Sequence, residues 1–144
     1  MQGQANHFYR FAKERIPYST QRYVGETERL YGILNTRLAS RDYLVGPGRG
    51  KYSIADIANF GWVNMAYFSG VDIRKFPNLD GWAKRIEGRS AVQKGLAVPG
   101  ESKNGNARYA ERLLNEDGFK QKEDDLRALT ETAKEQYGYR YSSP

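Results

Sequence analysis

The sequence predicts an all-α protein, and three stretches carry that expectation. In residues 51–62, Ser53 and Asp56 stand three apart at the head of an apolar run. This is capping-box spacing with Asp in place of Glu or Gln: the Ser53 hydroxyl accepts from the Asp56 backbone N–H while the carboxylate reaches back to the Ser53 N–H. Tyr52 and Ile57 occupy the two positions of a hydrophobic staple, and Ile54, Ile57, Ala58, Gly61, Trp62, Met65 and Phe68 recur at helical spacing. Upstream, Tyr23, Thr27, Leu30, Leu34 and Leu38 form a second stripe at intervals of three and four. Downstream, Pro77 suits a first helical turn, where its missing N–H is not needed, and Leu79, Trp82, Ala83 and Ile86 share one face.

In chain order, residues 1–16 read as the end of one helix and a loop, stopped at Ile16-Pro17. A long helix is expected from about Ser19 to Ala39, capped by Ser19 or Thr20. Residues 45–50, Val-Gly-Pro-Gly-Arg-Gly, form a loop by composition. Helices follow at about 53–68, 77–88 and 90–96, with Gly81 and Gly88 each weakening the second by up to about 1 kcal/mol relative to Ala. Ser90 is a capable N-cap for the third. Residues 98–106 read as a linker, and weaker helical patterns follow at 107–116 and 122–137. In the last of these Leu126, Leu129, Ala133 and Tyr137 make a narrow apolar stripe, and Glu123, Asp124 and Asp125 crowd the start, where the helix dipole favours negative charge.

The order of these blocks resembles the C-terminal helical domain of glutathione transferases: a capped Ser-x-Ala-Asp helix, then Phe76-Pro77-x-Leu79-x-x-Trp82-x-x-Arg85-Ile86-x-x-Arg89-x-Ala91-Val92. Residues 1–9, Ile16-Pro17-Tyr18, Arg22-Tyr23 and the run from Glu26 to Leu38 are similar to one branch of that family. This branch holds the fungal nitrogen-catabolite regulator and the bacterial disulfide-reductase-like, nu-class transferases. The similarity covers residues 1–98, which are expected to form the helical domain, with residues 99–144 as a linker and helical tail. Ser90 stands where the family pattern has Pro. The resemblance implies a bundle of about five helices with a C-terminal extension. It also implies a fragment: nothing here resembles the family's leading thioredoxin-like domain, and the first helix is expected to be truncated.

Composition limits the remaining possibilities. The 144 residues suffice for one domain with a real core. No stretch is apolar for long enough to span a bilayer, and no basic-then-apolar leader opens the chain. With no Cys and one His, a disulfide, a thiolate nucleophile and a transition-metal site are not expected; a cytoplasmic location is. The net charge of +6 is spread thinly. Residues 1–50 hold eight Lys/Arg against four Asp/Glu, residues 51–100 seven against four, and residues 101–144 eight against nine. Without a basic block, nucleic acid is not an expected partner.

No catalytic constellation stands out from residue types and spacing alone. Gly46-Pro47-Gly48-Arg49-Gly50 lacks the Lys and Ser/Thr of a nucleotide loop and reads as a turn. The resemblance supplies the candidates. Arg22 matches the family Arg that contacts a glutathione carboxylate, for which a guanidinium offers two parallel charged donors. Gln4, Asn6 and His7 form a polar run on the side that resembles the family's active site, able to hydrogen-bond glutathione's peptide groups. Tyr9, Tyr18 and Tyr23 either line an electrophile pocket or pack the core. Ser53 and Asp56 are expected to be a structural cap rather than chemistry, and Trp62 and Trp82 to be core anchors. The function implied is the helical half of a glutathione transferase, with glutathione as cosubstrate and no covalent cofactor. It would form the electrophile-side wall of a site for conjugation or for disulfide or peroxide reduction. A full-length protein of this kind is expected to be a homodimer. The alternative is a non-catalytic interaction or dimerisation module.

Overall fold

The computed structural model describes residues 1–98 and 105–138, so part of the expected linker, residues 99–104, lies outside the described residues. The described residues form seven α-helices and no strand. Helix α1 (Gln2–Asn6) runs into a π-helical turn, His7–Phe11. Then come α2 (Pro17–Arg37), α3 (Ile54–Val63), α4 (Pro77–Glu87), α5 (Ser90–Leu96), α6 (Asn106–Asn115) and α7 (Asp117–Tyr137). Two 3-10 turns, Tyr67–Ser69 and Ile73–Lys75, join α3 to α4.

Helix α2 starts two residues before the expected Ser19, because Pro17 takes the first helical position. Ile16 is the N-cap and offers no side-chain bond; the Thr20 hydroxyl donates back to the Ile16 carbonyl at 3.2 Å instead of capping. The inward face is also rotated from the expected stripe. Its buried residues are Gln21, Val24, Gly25, Thr27, Glu28, Tyr31 and Gly32; of the expected stripe, Thr27 and Leu38 are buried, Tyr23 and Leu34 pack on the core's edge and Leu30 is exposed. The cause is tertiary: α2 lies between α1 and α7, and the face that meets α7 carries Glu28, which accepts from Lys134 at 2.8 Å.

At α3 the capping box is present, with Ser53 Oγ also accepting from the Ala55 N–H at 3.3 Å. Asp56 is fully buried and collects further donors. One carboxylate oxygen accepts from the Ser53 N–H (3.0 Å) and hydroxyl (3.2 Å), the other from the Leu44 N–H (3.0 Å) and the Trp82 indole N–H (2.9 Å). The helix ends at Val63, five residues short of the expected Phe68, and the chain turns through the first 3-10 segment. With Asp56, Phe60 and Val63 inside, the expected apolar face points out: Ile54 is 81 % exposed, Ile57 58 % and Trp62 54 %. Trp62 is therefore not a core anchor, whereas Trp82 is fully buried.

Helix α4 buries the expected Leu79, Trp82, Ala83 and Ile86. Its start is tied to α2 by the Asn35 side-chain oxygen, which accepts from the Asn78 and Leu79 N–H groups at 2.9 and 3.2 Å. In α5 Ser90 falls inside the first turn and Arg89 is the N-cap. The tail packs on the rest: Tyr109 and Leu126 join the same apolar core as Val24 and Trp82. Helix α7 begins at Asp117, five residues before the expected Lys122. The acid expected at its start, Glu123, sits two turns in and is completely buried.

Replacing Asp56 removes a cap and strands two buried donors. Asp56→Ala is expected to cost about 3–5 kcal/mol, against about 1 kcal/mol for Ser53→Ala, which leaves the Trp82 and Leu44 bonds intact. Urea unfolding of both variants checks this, and equal losses would show that the Trp82 and Leu44 bonds carry no weight.

Candidate functional site

The residues singled out in the sequence lie along α1, its π turn and the first turns of α2. Arg22 is exposed on the second turn of α2, and among the described residues no carboxylate pairs with it. Gln4 and His7 are exposed, and His7 sets its ring edge-on to Phe8 at 5.0 Å. Asn6 is half-buried and accepts from the Ser69 hydroxyl at 2.6 Å, so its side-chain oxygen has a structural partner. Tyr23 stacks on Phe8 (5.5 Å between centroids, 9° between planes), and Tyr18, half-exposed, stands edge-on to Tyr137 of α7 at 5.4 Å. No hydrogen bond or ion pair joins Arg22 to Gln4, Asn6 or His7 among the described residues.

Tyr9 is buried under α7. Its ring lies against Gly70, where a Cβ would come within 2.6 Å of it and where φ is +79°, so glycine is required there on both counts. The Tyr9 hydroxyl makes no hydrogen bond of good geometry among the described residues, although the Arg127 side chain stands beside it. Burial pushes its pKa up to about 12, helped by the Glu123 charge and opposed by Arg10 and Arg127. With Arg15, Pro17, Thr20, Leu126, Leu129 and Thr130, Tyr9 lines a small, partly open cavity of about 40 Å³.

Two features escaped the sequence. The first is a network around Arg10. Its guanidinium donates to the Phe68 carbonyl and the Tyr67 carbonyl, both at 2.9 Å, and pairs with both Glu123 oxygens. Tyr109 donates its hydroxyl to the same carboxylate. Burial disfavours the Arg10 charge, but the Glu123 bond outweighs it and raises the pKa. The Tyr109 phenol is raised too, by burial and then by Glu123. The signal was faint but present: Glu123 lies at helical spacing from Leu126, Thr130 and Ala133, all buried, so an acid sits on an inward stripe.

The second is an open cavity of about 210 Å³ between α1, α2 and α3, lined in part by Met1, Leu30, Leu34, Asn59 and Trp62. Gln2 and Tyr31 form its polar floor: the Tyr31 hydroxyl donates to Gln2 Oε1 (2.9 Å), and Gln2 Nε2 to the Trp62 carbonyl (2.7 Å). Both are buried and committed to each other, so the cavity's open walls are largely apolar. Among the described residues no cluster of His, Asp and Glu could hold a metal ion, and no helix is long and apolar enough to cross a membrane.

An all-α bundle whose second long helix carries a buried Ser-Asp capping box defines a class of helical domain, and residues 11–90 match the family model described as Glutathione S-transferase, C-terminal domain. The chain belongs to that family. It is similar to the Escherichia coli protein named Disulfide-bond oxidoreductase YfcG, 42% identical over 96 residues, which covers 67% of this chain and 43% of that protein. It is also similar to Transcriptional regulator URE2 of Saccharomyces cerevisiae, 30% identical over 126 residues, covering 67% of this chain and 36% of that one. Among solved structures it matches a glutathione transferase from Burkholderia graminis with two glutathione molecules bound per subunit, at a TM-score of 0.61 and 35% identity, over 70% of this chain and 44% of that one. The chain therefore spans less than half the length of each of these relatives.

The raised phenols set an alkaline limit. A group whose folded pKa lies above its unfolded value contributes stability that is intact below the unfolded pKa and lost as pH rises through the folded one. For Tyr9 that window runs from 10.0 to about 12, and Tyr67, also pushed up to about 12 by burial and then by Asp72, acts in the same direction. Thermal melting is expected to hold steady up to pH 9 and to fall steeply beyond pH 10. Tyr9→Phe, which deletes a hydroxyl without a hydrogen bond of good geometry, should lessen that fall and cost less than about 1 kcal/mol at neutral pH. A larger neutral loss would show that the hydroxyl is hydrogen-bonded after all.

Proposed function

We propose that this chain is the helical half of a glutathione-dependent enzyme. It would form the electrophile-side wall of a site where glutathione is conjugated to an apolar electrophile or reduces a disulfide or peroxide. The observation that carries this reading is the unpaired apolar face of α3. Ile54, Ile57 and Trp62 point outward from a helix whose rotation is fixed by Asp56 on its other side. Single exposed apolar residues are ordinary, but a helix face of this kind is an interface awaiting a partner. The matched model is a C-terminal domain, so in its relatives another part of the chain comes first, and that part is the proposed occupant. Thiol activation would rest with it.

Arg22 supports the reading independently. It is an exposed guanidinium without an ion-pair partner, placed on the same helix pair as the exposed Gln4 and His7. Such a group is free to take a carboxylate through two parallel charged hydrogen bonds. Reduced glutathione titrated at millimolar concentration into the protein is expected to move backbone NMR signals around Arg22, and Arg22→Ala should abolish those shifts while leaving the melting temperature unchanged. Shifts that persist in the variant, or no shifts at all, would remove Arg22 from the site. The chain by itself is expected to show no turnover of chlorodinitrobenzene with glutathione.

The same outward face favours a second reading, a non-catalytic module that pairs with another protein or with its own copy through α3. Sedimentation across a wide concentration range distinguishes the two. Self-association abolished by Trp62→Glu supports the module; a monomer at every concentration counts against it.

A further inference from the structure

We propose that the α6–α7 hairpin is a displaceable strap that opens as one unit and uncovers the Tyr9 hydroxyl. This inference concerns the fold's own motion, and the proposed catalytic reading can fail without affecting it.

The composition of the strap's inner surface is the first reason. The strap's apolar contacts are few, Tyr109 and Leu126 in the core with Leu113 and Phe119 packed beside them, and of the five residues α7 buries, Glu123, Leu126, Thr130, Ala133 and Lys134, only two are apolar. Helix α4, by contrast, buries Leu79, Trp82, Ala83 and Ile86 and no polar residue. Polar contact surfaces inside a chain resemble those of transient complexes and permit relative motion, whereas apolar ones open only with the whole core.

The second reason is how the strap is pinned. Two buried ion pairs of opposite sense hold it: core Arg10 to strap Glu123, and strap Lys134 to core Glu28 at 2.8 Å. The pins lie three turns apart along α7, so together they fix its register. The charges draw much of their mutual attraction from exclusion of water, and each returns readily to water when separated, so such pairs specify a position more than they stabilise it. Burial works against the Lys134 charge, but Glu28 and Glu131 outweigh it and raise its pKa, so the pin is charged at neutral pH.

The third reason is what lies beneath. Between the pins, Leu126, Leu129 and Thr130 form one wall of the small, partly open cavity whose opposite wall is Tyr9, Arg15, Pro17 and Thr20. The Tyr9 hydroxyl there makes no hydrogen bond of good geometry, although the Arg127 side chain of α7 stands beside it. A buried hydroxyl without a hydrogen bond favours any state in which water or a ligand can reach it. Opening the strap exposes a phenol donor in an apolar slot between the π turn and the first turn of α2.

Native-state hydrogen exchange on the full chain tests the proposal. Amides across 106–137 are expected to exchange together, at least about tenfold faster than those of Leu79–Ile86, with a weaker urea dependence. Lys134→Met should speed the strap's exchange by about tenfold or more and leave α4 unchanged. Tyrosine acetylation read residue by residue should rise at Tyr9 in that variant and stay constant at the equally buried Tyr31. Should Lys134→Met fail to fold, the wild-type rates and their urea dependence decide alone. The proposal is overturned if the strap and α4 exchange at one rate with one urea dependence, if exchange spreads inward from the helix ends instead of as a block, or if Tyr9 and Tyr31 react in parallel.

Discussion

One buried carboxylate organises this bundle. Asp56 sits in the core with no access to water, a position that costs several kcal/mol unless its oxygens are fully engaged. Four donors engage them: the Ser53 N–H and hydroxyl at the helix start, the Leu44 N–H from the preceding loop and the Trp82 indole from α4. Three segments far apart in sequence are thereby fixed to one point. The carboxylate also sets the rotation of α3 about its axis. Once Asp56 must face Trp82, Phe60 and Val63 follow it inward at four and seven positions on, and Ile54, Ile57 and Trp62 have nowhere to go but out. A charged group, not the hydrophobic pattern, decides which side of this helix is the inside.

That explains what was and was not legible in the sequence. Where helices start could be read well, because start signals are local: Ser53 with Asp56, and Pro77 at the head of α4. Which face each helix buries could be read in full only for α4, whose apolar stripe has a single partner side, and in part for α2 and α7, where Thr27, Leu38, Leu126 and Ala133 are buried as expected. In α3 the most apolar face points away from the core, and in α2 the inward face includes Gln21, Gly25, Glu28 and Gly32 because α1 and α7 approach it closely. Periodicity reports that a helix has an apolar stripe; it does not report which of two surfaces the stripe serves. Glu123 illustrates the same point in reverse. It reads as a dipole-favoured acid near a helix start and lies instead at the centre of a buried network with Arg10 and Tyr109.

The molecule thus carries two surfaces whose composition runs against their position. The inner surface of α7 is buried yet mostly polar; the outer surface of α3 is apolar and exposed. The first is satisfied internally by ion pairs that demand one register, which suits an element that must return to the same place after moving. The second is largely uncovered by the described residues and gains free energy by excluding water against something else, at roughly 25 cal/mol per Å² of apolar area removed. The contrast separates their roles. The polar surface favours a reversible contact within the chain, and the apolar one a lasting contact beyond the described residues.

The candidate ligand residues fit the same division. A single bidentate guanidinium–carboxylate contact supplies about 1.5–3 kcal/mol, whereas micromolar affinity requires about 8. Arg22 therefore cannot hold glutathione tightly by itself, and the other polar candidates add little, since Asn6 already accepts from Ser69 and Tyr9 is closed off by α7. Gln4 and His7 remain exposed, and each can add about 1 kcal/mol. A site assembled from these groups is a half-site, able to orient one end of an anionic ligand but not to bind the whole of it. On the proposed function, the residues that complete it would come from the part of the protein that covers the outer face of α3. On that proposal, affinity and catalysis would then depend on the same docking event that buries Ile54, Ile57 and Trp62.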